Sequence, residues 1–210
     1  MTTYQLIIAD DHPVYLDALA MGISQVLTDT NIEKTSDYLC LFDILEHNAD
    51  STDLLLMDLS MPGTSGLAGL YFIRSQFPEL PILVISAHDD FNVKQQCLNA
   101  GASVFLSKNT QLADIIAAIT QLLQGQFSFA GKSQLQQTEQ QKKLSSLTRN
   151  QYKALHLLAG GLSNKEIAQQ MDITEKTVKA HVSAVLQKLE VSNRTKAAQF
   201  LGVHKDQLSL

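Results

Sequence analysis

The sequence predicts an α/β fold, a doubly wound five-stranded parallel sheet, followed by a smaller all-α domain. Three observations carry this. Short apolar runs alternate with segments of helical period five times over residues 4–123, the order that gives parallel strands with helices on both faces. The runs Leu54–Met57 and Ile82–Ile85 are solidly apolar rather than alternating, as in strands buried on both sides. The alternation stops in a Gln-rich stretch, Gly125–Ser146, and from Leu147 only the helical period returns.

The elements follow in order. Gln5–Ala9 reads as a strand ending in Asp10-Asp11. Pro13 opens a helix, since proline suits the first helical turn, and Val14, Ala18 and Ile23 with Leu19 and Val26 are expected on its inner side. Ile32–Lys34 is a weak strand, and Leu39, Phe42, Ile44 and Leu45 suggest the next helix. Leu54–Met57 is a strong strand. Leu67, Leu70, Ile73 and Phe77 recur at helical spacing. ILVIS is a strand ending at Ser86, Val93–Ala100 a helix stopped by Gly101, and Val104–Leu106 a short strand ending near Lys108. Leu112, Ile115, Ile116, Ile119, Leu122 and Leu123 form one face of an amphipathic helix. The expected division is a first domain over 1–124, a linker over 125–145 and a second domain over 146–210.

Composition narrows the function. No apolar run is long enough to cross a bilayer, and MTTYQLIIADD lacks the basic start of a signal peptide. A cytoplasmic protein with no membrane partner is expected. Cys40 and Cys97 have no metal-ligand spacing and read as reduced structural thiols. Charge is divided unevenly. Residues 1–123 hold 4 basic and 15 acidic residues, net −11, whereas residues 124–210 hold 12 and 6, net +6. Only the second half suits a polyanion.

In an open parallel sheet, sites form outside the carboxyl ends of the strands. Here those ends carry Asp10, Asp11, Asp58, Ser86 and, near the last, Lys108. This places Asp58 at the rim where its strand leaves the core. Three carboxylates in one crevice need a cation, and a few oxygen ligands suit Mg²⁺. A carboxylate can also be a nucleophile toward phosphorus. Asp10 and Asp11 alone would read equally as helix caps. His12 and His88 flank the site and read as bystanders.

The motifs ADD (9–11), DLSMPG (58–63), ISA (85–87) and GASVFLSK (101–108) resemble the receiver domain of bacterial two-component response regulators. The resemblance covers residues 4–123 and implies a flavodoxin-like fold. It implies that Asp58 accepts a phosphoryl group from a sensor histidine kinase. Asp11, Asp58 and the backbone carbonyl of Ser60 would hold Mg²⁺, with Asp10 acting through water. Lys108 would bind the phosphoryl group, Ser86 would turn to hydrogen-bond it, and Phe105 would be the aromatic switch, although a plain core position explains Phe105 as well. Val104 departs from the glycine common at its position.

The basic half reads as helices with capping signals. Thr148 precedes a helix to Ala159 ended by Gly160-Gly161, and Ser163 with Glu166 forms a capping box. Thr174 precedes a third helix in which Val178, Val182, Val185 and Leu189 form the buried stripe. Its other face carries Lys176, Ala180, Ser183, Ala184 and Gln187, flanked by Lys179: a helix-turn-helix with the third helix as reader. A plain solvated helix face is the alternative account of Lys176 and Lys179. The segments GLSNKEIA (161–168), TVKAH (177–181) and KLEVSNRT (188–195) resemble the LuxR-type domain, over 147–203. With the receiver this points to the NarL/FixJ group. The resemblance implies Lys179, Ala180 and Ser183 facing bases of double-stranded DNA, with Asn164, Lys165, Thr174, Thr177, His181 and Lys188 as phosphate or rim contacts alongside Lys176. It implies a homodimer through the receiver or the last helix, Asn193–Leu201. Asn150-Gln151 departs from the family's usual Arg-Glu.

Two other classes are open. Phosphatases with a nucleophilic aspartate place a second acid two residues on, where this chain has Ser60. A regulator that never needs phosphate would have no use for the acidic set. The chain is therefore expected to be a phosphorylation-regulated DNA-binding regulator, catalysing only its own phosphorylation and slow dephosphorylation.

Overall fold

The computed structural model describes residues 3–48, 51–61, 66–126 and 138–201. The chain forms two compact units. The first is built on residues 1–62 and 73–135, the second on residues 136–210 together with 63–72.

Along residues 4–123 the chain runs β1 (Tyr4–Ala9), α1 (Pro13–Val26), β2 (Thr30–Thr35), α2 (Tyr38–Asn48), β3 (Leu54–Asp58), α3 (Gly66–Gln76), β4 (Ile82–Ser86), α4 (Phe91–Asn99), β5 (Val104–Ser107) and α5 (Leu112–Leu123). The sheet is wholly parallel, in the order β2-β1-β3-β4-β5. Every residue of β3 and β4 is buried, as a parallel sheet covered on both faces requires. Side chains alternate between faces. Leu6, Ile8, Leu54, Leu56, Leu83 and Ile85 meet α1 and α5 through Leu16, Leu19, Ile23, Ile115 and Ile119. The strand order reverses between β1 and β3, and a crevice opens there at the carboxyl ends.

The inner face of α1 differs from the one expected. Leu16, Leu19, Gly22 and Ile23 point inward, while Val14 is 84 % exposed and Ala18 and Val26 are also exposed. The apolar residues of this helix ring more than one face, and spacing alone chose the wrong three. α4 begins two residues before the predicted Val93, because the Asp90 side chain accepts from the Val93 N–H at 3.0 Å and caps the first turn.

The helical unit comprises α6 (Glu139–Ser145), α7 (Arg149–Ala159), α8 (Asn164–Gln170), α9 (Glu175–Leu189) and α10 (Arg194–Gln199). Leu155, Leu158, Ile167, Val178, Val185, Leu189 and Ala197 are buried, whereas Val182 is half-buried. Capping boxes start α6 (Thr138 with Gln141), α7 (Thr148 with Gln151) and α8 (Ser163 with Glu166). The Ser163 hydroxyl and backbone N–H both donate to the Glu166 carboxylate and hold it below the usual range. Asp172, at φ 51, turns the chain between α8 and α9, a left-handed conformation that aspartate tolerates better than most residues. The motif residues Pro62 and Gly63, part of the Gln-rich stretch and the residues after Leu201 lie outside the described residues.

Candidate functional site

Strand register brings the polar residues to one rim. Ala9 pairs with Met57, Asp58 with Ile85, and Ser86 with Ser107. Asp10 therefore follows β1 beside Asp58 at the end of β3, and Lys108 follows β5. The Lys108 N–H donates to the Ser86 carbonyl at 2.8 Å, which anchors the lysine backbone to the neighbouring strand.

Asp58 is only 2 % exposed. Its position at the strand end does not expose it, and a cation answers its burial instead. The Lys108 ammonium lies 2.8 Å from Asp58 Oδ2 and 3.0 and 2.8 Å from the two oxygens of Asp10. Burial disfavours the charged lysine, but the hydrogen bonds and charges of Asp10 and Asp58 outweigh it and raise its pKa.

Two further residues complete the cluster. His12 Nδ1 lies 2.7 Å from Asp11 Oδ1, 3.2 Å from Asp10 Oδ1 and 3.3 Å from Lys108 Nζ. The Tyr15 ring lies beneath Lys108, with Nζ 5.1 Å from the ring centroid. Burial and then the Asp10 charge push the Tyr15 phenol above its ordinary range, with Lys108 pulling the other way. His12, expected as a bystander, contacts this cluster, and Tyr15 joins it without belonging to any motif. The spacing held a usable signal. Pro13 fixes the start of α1 just past Asp11, and Tyr15 then falls in its first turn.

The set fits a hard divalent cation. Asp10, Asp11, His12 and Asp58 each offer a ligand atom, all within 4.8 Å of one another. Asp58 Oδ1 is buried and has no hydrogen-bond partner among the described residues. A buried carboxylate oxygen is costly in that state, and a metal is its natural complement.

The other expected residues lie around this cluster. Ser86 is fully buried, and its hydroxyl accepts from the His88 N–H at 3.1 Å. Phe105 is buried in β5, surroundings that suit a core residue and a switch equally. Ser60 is exposed, two residues beyond Asp58.

In the helical unit, Lys176, Lys179, Ala180 and Ser183 are exposed along α9 while Val178 and Val185 point inward. Lys179 lies 3.3 Å from Glu175 one turn earlier, an exposed pair that opens at little cost. Thr174 caps α9, accepting from the Thr177 N–H at 3.2 Å. Thr177 and His181 are half-buried on its flank, and Asn164 and Lys165 begin α8. Lys188 is engaged within the fold. Its ammonium donates to the Ser146 carbonyl at 2.6 Å and to Gln151 Oε1 at 2.8 Å. Gln151 thus keeps a lysine partner without the ion pair that a glutamate would form.

Comparison with known proteins covers both units. Residues 6–120 match the response regulator receiver domain, and residues 145–201 match the bacterial regulatory proteins of the luxR family. The glycerol metabolism activator of Pseudomonas putida is 36 % identical over 206 residues, covering 92 % of this chain and 93 % of that protein. The nitrate/nitrite response regulator protein homolog of Haemophilus influenzae is 32 % identical over 198 residues, covering 92 % and 93 %. The solved complex of the two-component response regulator RcsB with DNA aligns at TM-score 0.55 and 25 % identity, over 95 % of this chain and 98 % of that one. One family match spans the crevice that gathers Asp10, Asp58 and Lys108, and the other spans the helices around α9. On these grounds the chain belongs to the response regulators, as a member that joins a receiver domain to a LuxR-family regulatory domain.

Proposed function

We propose that the chain is a transcription regulator whose DNA binding is controlled by phosphorylation of Asp58, with residues 1–124 as input, 146–210 as output and 125–145 as the connection, of which α6 belongs to the compact helical unit. The observation that carries this reading is the bridged pair: Lys108 between Asp10 and Asp58, with one Asp58 oxygen buried and without a hydrogen-bond partner among the described residues. That oxygen is the expected nucleophile or metal ligand, and the lysine is the ready counter-charge for a phosphoryl group.

Asp11, Asp58 and the Ser60 carbonyl would hold Mg²⁺, with Asp10 acting through water. The ion supplies charge neutralisation at the phosphoryl oxygens. An Asp58 oxygen attacks the phosphorus of a kinase phosphohistidine. The P–N bond breaks, its electron pair stays on the imidazole nitrogen, and a proton from water completes the free histidine. Hydrolysis of the aspartyl phosphate later releases inorganic phosphate and restores Asp58. Lys108 moves from Asp10 to the new phosphoryl group. Ser86 gives up its contact with His88 to donate its hydroxyl, and Phe105 repacks with it, which biases a two-state receiver.

On the output side, Lys179, Ala180 and Ser183 would face bases in the major groove, with Lys176, Thr177, His181, Asn164, Lys165 and Thr174 toward the backbone. Lys188 reaches a phosphate only by leaving Ser146 and Gln151, so its share in binding is chiefly to hold α9 in place. A homodimer through the receiver or α10 would read two half-sites about one helical turn apart. Incubation with acetyl phosphate and Mg²⁺ followed by peptide mapping tests the site. The phosphoryl group is expected on Asp58 and absent from Asp58→Ala. Equal labelling of the mutant would remove Asp58 from its role.

A further inference from the structure

We infer that Tyr15 is a positioning residue for Lys108, its ring forming a seat for the ammonium that is independent of the carboxylates. The inference rests on the reading of Asp58 as phospho-acceptor and adds to it a residue that belongs to none of its motifs.

Lys108 has two kinds of partner. The oxygens of Asp10 and Asp58 lie 2.8–3.0 Å from its nitrogen, and the Tyr15 ring centroid lies 5.1 Å away. That distance is within the range at which a ring face attracts a cation. The two kinds behave differently when the site is loaded. A divalent cation competes with the lysine for the carboxylate oxygens. It has no such claim on a ring face, because a phenyl face is not a ligand for a hard ion. The aromatic seat therefore keeps Nζ over the crevice when its hydrogen bonds are lost, at the moment when the incoming phosphoryl oxygen needs it. Tyr15 stands in the first turn of α1, which Pro13 fixes. Its ring is half-buried and its hydroxyl is buried, with no hydrogen-bond partner among the described residues. The hydroxyl contributes nothing to this arrangement, so the ring is the working part, and phenylalanine would serve equally.

The test uses the full chain with ¹³C-labelled lysine, wild type beside Tyr15→Phe and Tyr15→Leu. A ring face shields protons above it, so the Lys108 Hε resonances should lie upfield of the other lysines. This displacement should persist in Tyr15→Phe, vanish in Tyr15→Leu, and survive saturation with Mg²⁺. The same preparations are then given acetyl phosphate and Mg²⁺. Tyr15→Phe should match wild type, and Tyr15→Leu should be slower on the order of three- to tenfold. In a Lys108→Ala background, Tyr15→Leu should add nothing further. Loss of the upfield displacement on adding Mg²⁺, its retention in Tyr15→Leu, or an undiminished Tyr15→Leu effect without Lys108 would each overturn the inference. A wild type that takes no phosphoryl group while keeping the shielded lysine would instead defeat the phospho-acceptor reading and leave the aromatic seat standing.

Discussion

At the scale of single residues, the structure turns on how two buried carboxylates tolerate each other. Lys108, whose side chain is 13 % exposed, is their common counter-ion. Lys108→Met should therefore destabilise the receiver by about 3 kcal/mol or more, since it strands two buried charges. Asp58→Asn leaves Lys108 its Asp10 partner and should cost less than about 1 kcal/mol. Thermal melts in EDTA and in Mg²⁺ should separate the two, because a bound metal would restore part of the Lys108→Met loss. The raised Lys108 pKa fixes the pH sense. Its stabilising share is complete below the unfolded value of about 10.4 and is lost only as pH rises through the folded one. Thiol chemistry gives a separate check. Cys40 is exposed, whereas burial pushes Cys97 up to about 12. At pH 8 a disulfide reagent should titrate one thiol quickly and the second only on unfolding; two fast thiols would contradict the packing of α4.

At the scale of elements, one loop shows how side chain and backbone fix each other. The Arg74 guanidinium donates to the Gly101 carbonyl at 3.0 and 2.8 Å, and to the carbonyls of Phe77 and Pro78 at 3.0 and 2.7 Å. Gly101 has φ +101, and a Cβ there would meet Arg74 Cγ at 2.7 Å. Gly101→Ala should cost about 1–3 kcal/mol through backbone strain and crowding, read as a lower urea midpoint with unchanged slope. Elements were legible in the sequence wherever one physical signal dominated. β3 and β4 are solid apolar runs, and Ser163 with Glu166 announces α8. They were less legible where signals compete. α1 carries apolar residues on several faces, so spacing points Val14, Ala18 and Val26 inward although they face solvent. α6 lies in a Gln-rich stretch with little periodicity, yet Thr138 and Gln141 have capping-box spacing. The rim was legible because parallel topology sends every strand end to one place. The contacts of His12 and Tyr15 with Lys108 were not, since these residues reach the site through the start of α1 rather than through a motif.

At the scale of the whole molecule, the uneven charge matches the two tasks. The acidic half holds the carboxylate cluster of Asp10, Asp11 and Asp58, to which the proposed metal and phosphoryl chemistry is assigned, and the basic half holds the exposed lysines of α9. The central claim is that Asp58 governs DNA binding. It is tested most directly by the affinity of the full chain for DNA selected from a random pool, at one fixed salt concentration, with and without acetyl phosphate and Mg²⁺. Phosphorylation should change the affinity of the wild type at least severalfold and leave Asp58→Asn unmoved. Equal affinity of phosphorylated and unphosphorylated wild type, or an equal response from Asp58→Asn, would contradict it.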